Sequence, residues 1–211
     1  NSDTGLLGAS FFLGYTVVTI SAFFWVRKID WRKICLISLS FAAVPMIAAV
    51  YYKAYWLNIL FVIISGGAFS AIYVVGTVAI GDTSNPARWY GAKIGGETGL
   101  GGLFLLLSPS FIAGPYGFNG VVVGLAIVAL LSLLFLSFLP PHGVKGEEEQ
   151  LATQTPMTSQ ETFGIWLTLT AVVIFFLGET AIWSFVERIG ATSGFDPQYV
   201  GYILAASLVT A

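Results

Sequence analysis

Two carboxylates lie well inside apolar stretches of this 211-residue sequence. Glu97 occurs in GAKIGGETGLGG, and Glu179 occurs in FFLGETAIWSF. A low-dielectric environment disfavours the charged form of a carboxylate, so such a group can take up and release a proton. Both residues are therefore candidates for proton coupling, with H+ as the coupling ion.

Glu97 also has a structural interpretation. Lys93 precedes it by four residues, a spacing that allows an ion pair on a helix. Gly91, Gly95 and Gly99 recur at the same spacing and predict a packing seam along one helix face. Glu97 is about 200° round the helix from that seam, so it is expected to face a cavity or another helix. The coupling and ion-pair interpretations both stay open.

Glu179 has no basic residue within a helical turn on either side. Thr180 is adjacent to it, and Trp183 lies one turn further along the helix. A coupling carboxylate fits this setting, and so does a protonated carboxyl that is hydrogen-bonded to a neighbouring helix.

The elements that must position these groups are long apolar runs. The composition is 56% hydrophobic and 9% charged with a mean hydropathy of +0.85, which excludes a soluble globule. Six of the seven runs approach or exceed the about 20 residues that a helix needs to cross a bilayer. An all-α, polytopic membrane protein is predicted, with runs at residues 5–26, 34–52, 56–81, 91–113, 118–139, 162–185 and 197–211.

Seven of the nine Lys and Arg residues fall in alternate loops between these runs. They are Arg27, Lys28, Arg32 and Lys33 in the first loop, Arg88 and Lys93 in the third and Lys145 in the fifth. By the positive-inside rule these loops are cytoplasmic, which predicts an integral protein of a plasma or inner membrane. The polar residues 140–161, which include an exposed His142, are then a cytoplasmic linker.

The two ends of the sequence bear on how the helices are grouped. The chain begins at Asn1 on the predicted outer side, and its last run stops at Ala211 after 15 residues. We expect an internal piece of a longer protein, incomplete at both ends, with one helix preceding residue 1. Residues 1–139 then form an N-terminal helical bundle that lacks its first helix, residues 140–161 the linker, and residues 162–211 the start of a C-terminal bundle.

Two segments carry a family resemblance. GLLGASFFLGYTVVTISAFFWVRKIDWRK resembles the second helix and following basic loop of the major facilitator superfamily, and GDTSNPARWYGAK resembles the loop between its fourth and fifth helices. The whole chain would correspond to helices two to part of eight of twelve. The first segment departs from the family pattern, because Arg27 stands near the position where an Asp usually opens the basic cluster, and Asp30 comes later. The run at residues 56–81 also lacks the Arg that is common in the family's fourth helix.

The resemblance implies a secondary transporter that moves a small solute by alternating access, as a symporter or antiporter and as a monomer when complete. It also implies that the helix over residues 56–81 lines the central cavity. The implied loop-motif residues are Arg27, Lys28, Asp30, Arg32 and Lys33. Substrate-cavity candidates are Tyr73, Ser70, Trp183 and Thr180.

The sequence also bears on three other functional classes, a receptor, an enzyme and a channel. A seven-helix receptor fits the number of runs and the outside N-terminus, and it is the alternative function. An enzyme is not expected, because no cluster of nucleophile, base or metal ligands lies within the runs, and a channel would need rings of polar residues. Cys35 is the only cysteine, so no internal disulfide and no cysteine-based metal pattern is possible. We expect no metal site and no cofactor, and the expected partners are solute and lipid bilayer rather than nucleic acid.

Overall fold

The chain folds into long helices that match the predicted runs. The computed structural model describes residues 2–52, 54–143 and 158–210. The α-helices of this part of the chain are α1 (Ser2–Trp25), α2 (Trp31–Tyr51), α3 (Tyr55–Gly81), α4 (Pro86–Ser108), α5 (Gly114–Leu131), α6 (Ser159–Thr192) and α7 (Pro197–Thr210). A π-helical turn, Pro109–Ala113, joins α4 to α5, and a 3₁₀ helix, Ser132–Phe138, extends α5.

Several of these helices have the length and composition of membrane spans. Among the described residues four spans meet both criteria, and a fifth is added if the bent pair Pro86–Ser108 and Ser110–Gly117 counts as one. Large apolar side chains cover their outer faces, and Phe23 for example is 88% exposed. Such a surface is stable in contact with lipid and would aggregate in water. The described helices therefore fit a membrane protein, and the four spans are Gly5–Trp25, Trp31–Tyr51, Tyr55–Gly81 and Asn119–Phe138.

The chain divides into two compact units. The first comprises Asn1–Ile94 and Ser110–Gly146, and the second comprises Gly95–Pro109 and Glu147–Ala211. In the first unit α1 packs on α3, α3 on α2, and α2 on α5. In the second unit α6 packs on α7.

Small residues set the spacing of helices in the first unit. Ala43 of α2 and Ala126 of α5 are fully buried and belong to one apolar cluster, in which α2 packs on α5. Gly14 of α1 and Gly66 of α3 bring those two helices closer still. A β-carbon on Gly14 would overlap the Ile63 carbonyl oxygen, and one on Gly66 would overlap the carbonyl oxygen of Phe11. Backbone therefore meets backbone along this α1–α3 seam, as in other closely packed membrane helices.

The seam that the sequence predicted in α4 is not formed by the described residues. A β-carbon on Gly91, Gly95 or Gly99 would meet no atom of them within 4 Å. Four-residue spacing places glycines on one helix face, but a seam also needs a second helix against that face. The glycines that do make the seam, Gly14 and Gly66, lie on two different helices, where spacing along one helix cannot identify them.

Local sequence signals fix several helix ends. The Asp30 carboxylate caps α2 by accepting hydrogen bonds from the backbone N–H groups of Arg32 (2.9 Å) and Lys33 (3.2 Å). The α-helical pattern of α4 ends where Pro109 begins the π-helical turn, as expected for a residue that lacks a backbone donor. Within α5, Gly117 has a φ of 62°, a left-handed conformation that favours glycine.

Capping residues also define both ends of α6. At its start, the backbone N–H and hydroxyl of Thr158 donate to the Glu161 carboxylate at 2.8 and 2.9 Å, and Glu161 N–H donates back to the hydroxyl. These hydrogen bonds, from the backbone first and the hydroxyl second, hold the pKa of Glu161 below its usual range. At its end, Gly194 takes a φ of 82°, and Phe195 N–H donates to the Gly190 carbonyl, which closes the helix.

Candidate functional site

The first candidate site is a junction of loops at one end of the first unit. Arg27, just after α1, forms an ion pair with Asp82, the residue that follows α3, with Nη2 and Oδ1 3.4 Å apart. The Asp82 side chain is only 6% exposed, so this ion pair is largely shielded from solvent on the Asp82 side. The ion pair therefore ties the first predicted cytoplasmic loop to the third.

The start of the linker docks on the same junction. Arg32 Nε donates to the Leu139 carbonyl at 2.6 Å, and its Nη2 donates to the Ser137 carbonyl at 3.2 Å. These carbonyls belong to the end of the 3₁₀ helix, where carbonyl groups otherwise lack donors. The N–H of Trp31 donates to the Pro141 carbonyl at 2.8 Å. The first, third and fifth loops thus lie at one end of the unit, and which side of a membrane this end faces stays a prediction.

Trp31 is the anchor of this junction. Its side chain is 1% exposed, and its indole N–H donates to the Val26 carbonyl at 2.6 Å. It packs with Val26, Cys35 and Val75 in a buried cluster. Trp31 is a core residue because the chain folds back over it at Gly143, where a β-carbon would lie 2.9 Å from the Trp31 ring.

The predicted loop-motif residues divide into two groups. Arg27, Asp30 and Arg32 make the structural contacts described above. Lys28 and Lys33 are exposed, and the nearest carboxylate oxygen to Lys33 Nζ is that of Asp30 at 3.9 Å.

The second candidate site is a polar cluster within the membrane-length helices, formed by Tyr15 and Thr19 of α1, Ser70 and Tyr73 of α3, and Lys93 of α4. The hydroxyl oxygens of Thr19 and Ser70 are 2.7 Å apart, and Thr19 also donates to the Tyr15 carbonyl at 2.9 Å. Ser70 is fully buried between α1 and α3. It therefore bonds the two helices together, which differs from the cavity contact that the family resemblance implies.

Tyr73 presents the accessible surface of the polar cluster. Its side chain is 45% exposed, and its ring lies 6.2 Å from that of Tyr15. The Lys93 ammonium lies over the Tyr73 ring, 3.9 Å from its centroid, which is a cation–π contact. Because Lys93 is seven residues after Pro86, its backbone is about 10 Å into α4. Lys93 was counted among the basic residues of the third loop and also lay within the predicted run at residues 91–113, and the structure places it in α4.

A hydrogen bond holds α4 in position for this contact. The Tyr90 hydroxyl donates to the Thr77 carbonyl at 2.9 Å, one turn from Tyr73 on α3. Glu97 follows Lys93 by four residues in α4, and its side chain is exposed. The backbone of Glu179, Thr180 and Trp183 lies in α6, but their side chains lie outside the described part of the structure.

Comparison of the chain with family models, curated proteins and solved structures found no match. Within the described residues, no group of three or more His, Cys, Asp and Glu side chains is arranged to hold a metal ion. The polar cluster can therefore be interpreted only from its own groups, which are an ammonium, an accessible aromatic ring, the buried hydroxyl of Ser70 and the exposed hydroxyl of Thr19.

From the sequence, Tyr73 was named as a cavity candidate, Lys93 only as a possible partner of Glu97, and Asp82 not at all. Tyr73 stood out because a phenol inside an apolar run needs a polar partner. Lys93 was counted with the third loop for topology, although residue 93 also lies in the predicted run at residues 91–113. Pro86 at the first position of α4 was the signal that this helix begins before residue 91.

Proposed function

We propose that this chain is part of a secondary active transporter of the major facilitator type, which moves a small solute by alternating access and couples this movement to protons. The observation that carries the proposal is the contact of Lys93 with the exposed ring of Tyr73, between the span α3 and α4, which is part of a fifth span if the bent pair counts as one.

The physical reason is the cost of placing charge at this depth. A lysine costs on the order of 3 kcal/mol at the centre of a membrane helix and less toward its ends, so a lysine about 10 Å into α4 still favours a place against protein or water. The cation–π contact offsets part of that cost and keeps the ammonium beside an aromatic surface. A small solute with an aromatic or apolar body fits this surface, and the apolar composition of α3 supports the same class.

The loop junction supports the proposal in a second way. Alternating access is largely a movement of one helical unit against another. The Arg27–Asp82 ion pair and the Arg32 hydrogen bonds fasten the ends of α1, α2, α3 and α5 together. A unit fastened in this manner can move as one body, which is what this mechanism needs.

Transport is tested with the intact protein in lipid vesicles that carry an imposed proton gradient. The probes are labelled aromatic amino acids, aromatic carboxylates and aromatic amines. We expect gradient-driven accumulation of one of these classes, and a roughly tenfold loss of uptake in Lys93→Gln, as for a partly desolvated cation–π contact of about 1 to 2 kcal/mol. Lys93→Arg should retain most of the uptake, because a guanidinium also stacks on an aromatic ring.

Arg88→Gln is the matched control for Lys93→Gln. It removes one positive charge from the same helix, and Arg88 is exposed in its first turn. Equal loss in both variants would show that only the overall charge of this end matters, and the polar cluster would then not be the solute site. Failure of every probe to accumulate would contradict transport and favour the receptor alternative.

Coupling is tested in the same vesicles with Glu179→Gln, and Glu97→Gln is the comparison. A neutral amide cannot carry a proton, so the variant at the coupling carboxylate should lose accumulation against a gradient but retain exchange of labelled for unlabelled solute. We expect this result for Glu179→Gln. Unchanged accumulation would give Glu179 a structural role and make Glu97 the next candidate.

A further inference from the structure

A long apolar groove runs along the first unit between α1, α2 and α3. Its volume is about 730 Å³. Its lining is almost entirely aliphatic or aromatic, and Val17, Trp25, Ile29, Ile34, Ile37 and Ile63 are among the residues that form it. The few hydroxyls in it are already engaged or buried. Ser21 donates to the Val18 carbonyl at 2.9 Å and accepts from the Trp25 indole at 3.2 Å.

The length of the groove matches one leaflet of a bilayer. On α1 it extends from Leu13 to Trp25, which is about 18 Å of helix. The hydrocarbon core of a bilayer is about 30 Å thick, so one leaflet contributes about half of that depth. A hydrocarbon chain that entered the groove at Trp25 would reach close to the midplane at Leu13.

Positive charge is concentrated at one end of the groove. Lys28 is adjacent to the groove residue Ile29, and Lys33 is adjacent to Ile34 and one helical turn before Ile37. Both lysine side chains are exposed, and Lys33 forms only a long, exposed ion pair with Asp30 at 3.9 Å, whereas the neighbouring arginines contact groups elsewhere in the fold. Neither lysine lines the groove itself, and Lys33 also borders a smaller pocket against the 3₁₀ helix, but both follow or precede groove residues at this end, within the reach of a long side chain.

We propose that the groove binds one anionic glycerophospholipid, with an acyl chain along α1 and the phosphate at Lys28 and Lys33. Basic side chains next to a membrane helix attract anionic lipids, and each Lys or Arg adds its own share of the attraction. A zwitterionic lipid has no net charge for the lysines to select. This inference does not depend on transport, since a lipid can bind at this groove whatever the chain does.

The test uses the intact protein in vesicles of phosphatidylglycerol and phosphatidylcholine at equal amounts. A photoreactive benzoylphenylalanine replaces Val17 in the groove, and after illumination the cross-linked lipids are identified by mass spectrometry. The reference position is Phe23, which lies on the same helix, is highly exposed and is not among the groove residues. We expect phosphatidylglycerol to be strongly preferred at position 17 and the two lipids to be captured about equally at position 23.

The lysines are tested in the same position-17 protein. Lys28→Gln combined with Lys33→Gln should lower the preference for phosphatidylglycerol by about tenfold or more. Arg88→Gln, which removes an exposed charge of the third loop, should leave the preference unchanged. The preference of the unsubstituted loop should also weaken in high salt, because screening acts on exposed charges. If the double variant does not fold, the salt dependence of the lipid preference still tests the role of the two lysines.

Several results would overturn the proposal. Capture of both lipids in their bulk ratio at position 17 would show a groove without headgroup selection. Cross-links from position 17 to another segment of this chain, or to a second copy of it, would show that protein occupies the groove. An equal effect of Arg88→Gln would assign the preference to the charge of the whole surface. A preference that is unaffected by salt would also exclude the two lysines.

Discussion

Replacing Gly66 with leucine is expected to prevent the first unit from folding normally. A β-carbon there overlaps the Phe11 carbonyl oxygen of α1, and a backbone atom cannot move aside as a flexible side chain can. Overpacking of a protein core typically costs about 1 to 3 kcal/mol, and a backbone clash on a helix seam lies at or above the top of that range. Separating α1 from α3 would also break the Thr19–Ser70 contact.

Gly76→Leu is the matched control for this prediction. Gly76 lies on the same helix, and a β-carbon on it would meet no described atom within 4 Å. We expect Gly66→Leu to lower the yield of monodisperse protein in detergent and the midpoint of thermal unfolding, while Gly76→Leu stays close to the unsubstituted protein. Equal behaviour of the two variants would mean that α1 and α3 do not meet along the Gly14–Gly66 seam.

The second large effect is expected for Trp31→Ala. This change removes the largest fully buried side chain of the described structure and leaves the Val26 carbonyl without its indole donor. Truncating a buried tryptophan costs about 3 to 5 kcal/mol, because a cavity remains where the ring was. The loss should appear as a large fall in the midpoint of thermal unfolding of the purified protein.

Two further variants separate the sources of that loss. Trp31→Phe keeps most of the packing and loses the hydrogen bond, so its cost should be smaller, about 1 kcal/mol. Trp56→Ala removes a tryptophan that is 77% exposed at the start of α3 and should change the unfolding midpoint little. If Trp31→Ala is no more destabilising than Trp56→Ala, the junction does not have Trp31 as its core.

The helices could be predicted from the sequence because each depends on its own residues. Apolar runs of span length, a capping Asp30 before α2 and Pro109 after α4 are local signals, and the structure places helices and breaks accordingly. The alternation of basic loops predicted that the first, third and fifth loops share one side. In the structure they share one end of the first unit.

Contacts between helices could not be predicted in the same way. A repeat of glycines in α4 predicted a seam, yet the close approach uses Gly14 and Gly66, which are far apart in the sequence. Nothing local distinguishes these glycines from Gly76. The pairing of helices decides which of them must lack a side chain, and that pairing follows from the packing of all three helices together.

In the candidate site, too, single residues could be chosen from the sequence, whereas their partners on other helices could not. Tyr73 could be chosen because a phenol in an apolar helix is unusual, but its partner Lys93 is on another helix. Ser70 met Thr19 of α1 instead of a cavity, since a small hydroxyl at a tight seam bonds across it. The transport function, the substrate and the roles of Glu97 and Glu179 stay predictions.

The junction also constrains the order in which the chain assembles during synthesis. Arg32 finds its Leu139 acceptor 107 residues further along the chain. At a translation rate of about 5 to 20 residues per second, α2 waits roughly 5 to 20 s in the membrane before that partner is made. Throughout this interval Trp31 lacks its Pro141 acceptor. The start of α2 is therefore a part of the unit that can close only after residue 141 has been made.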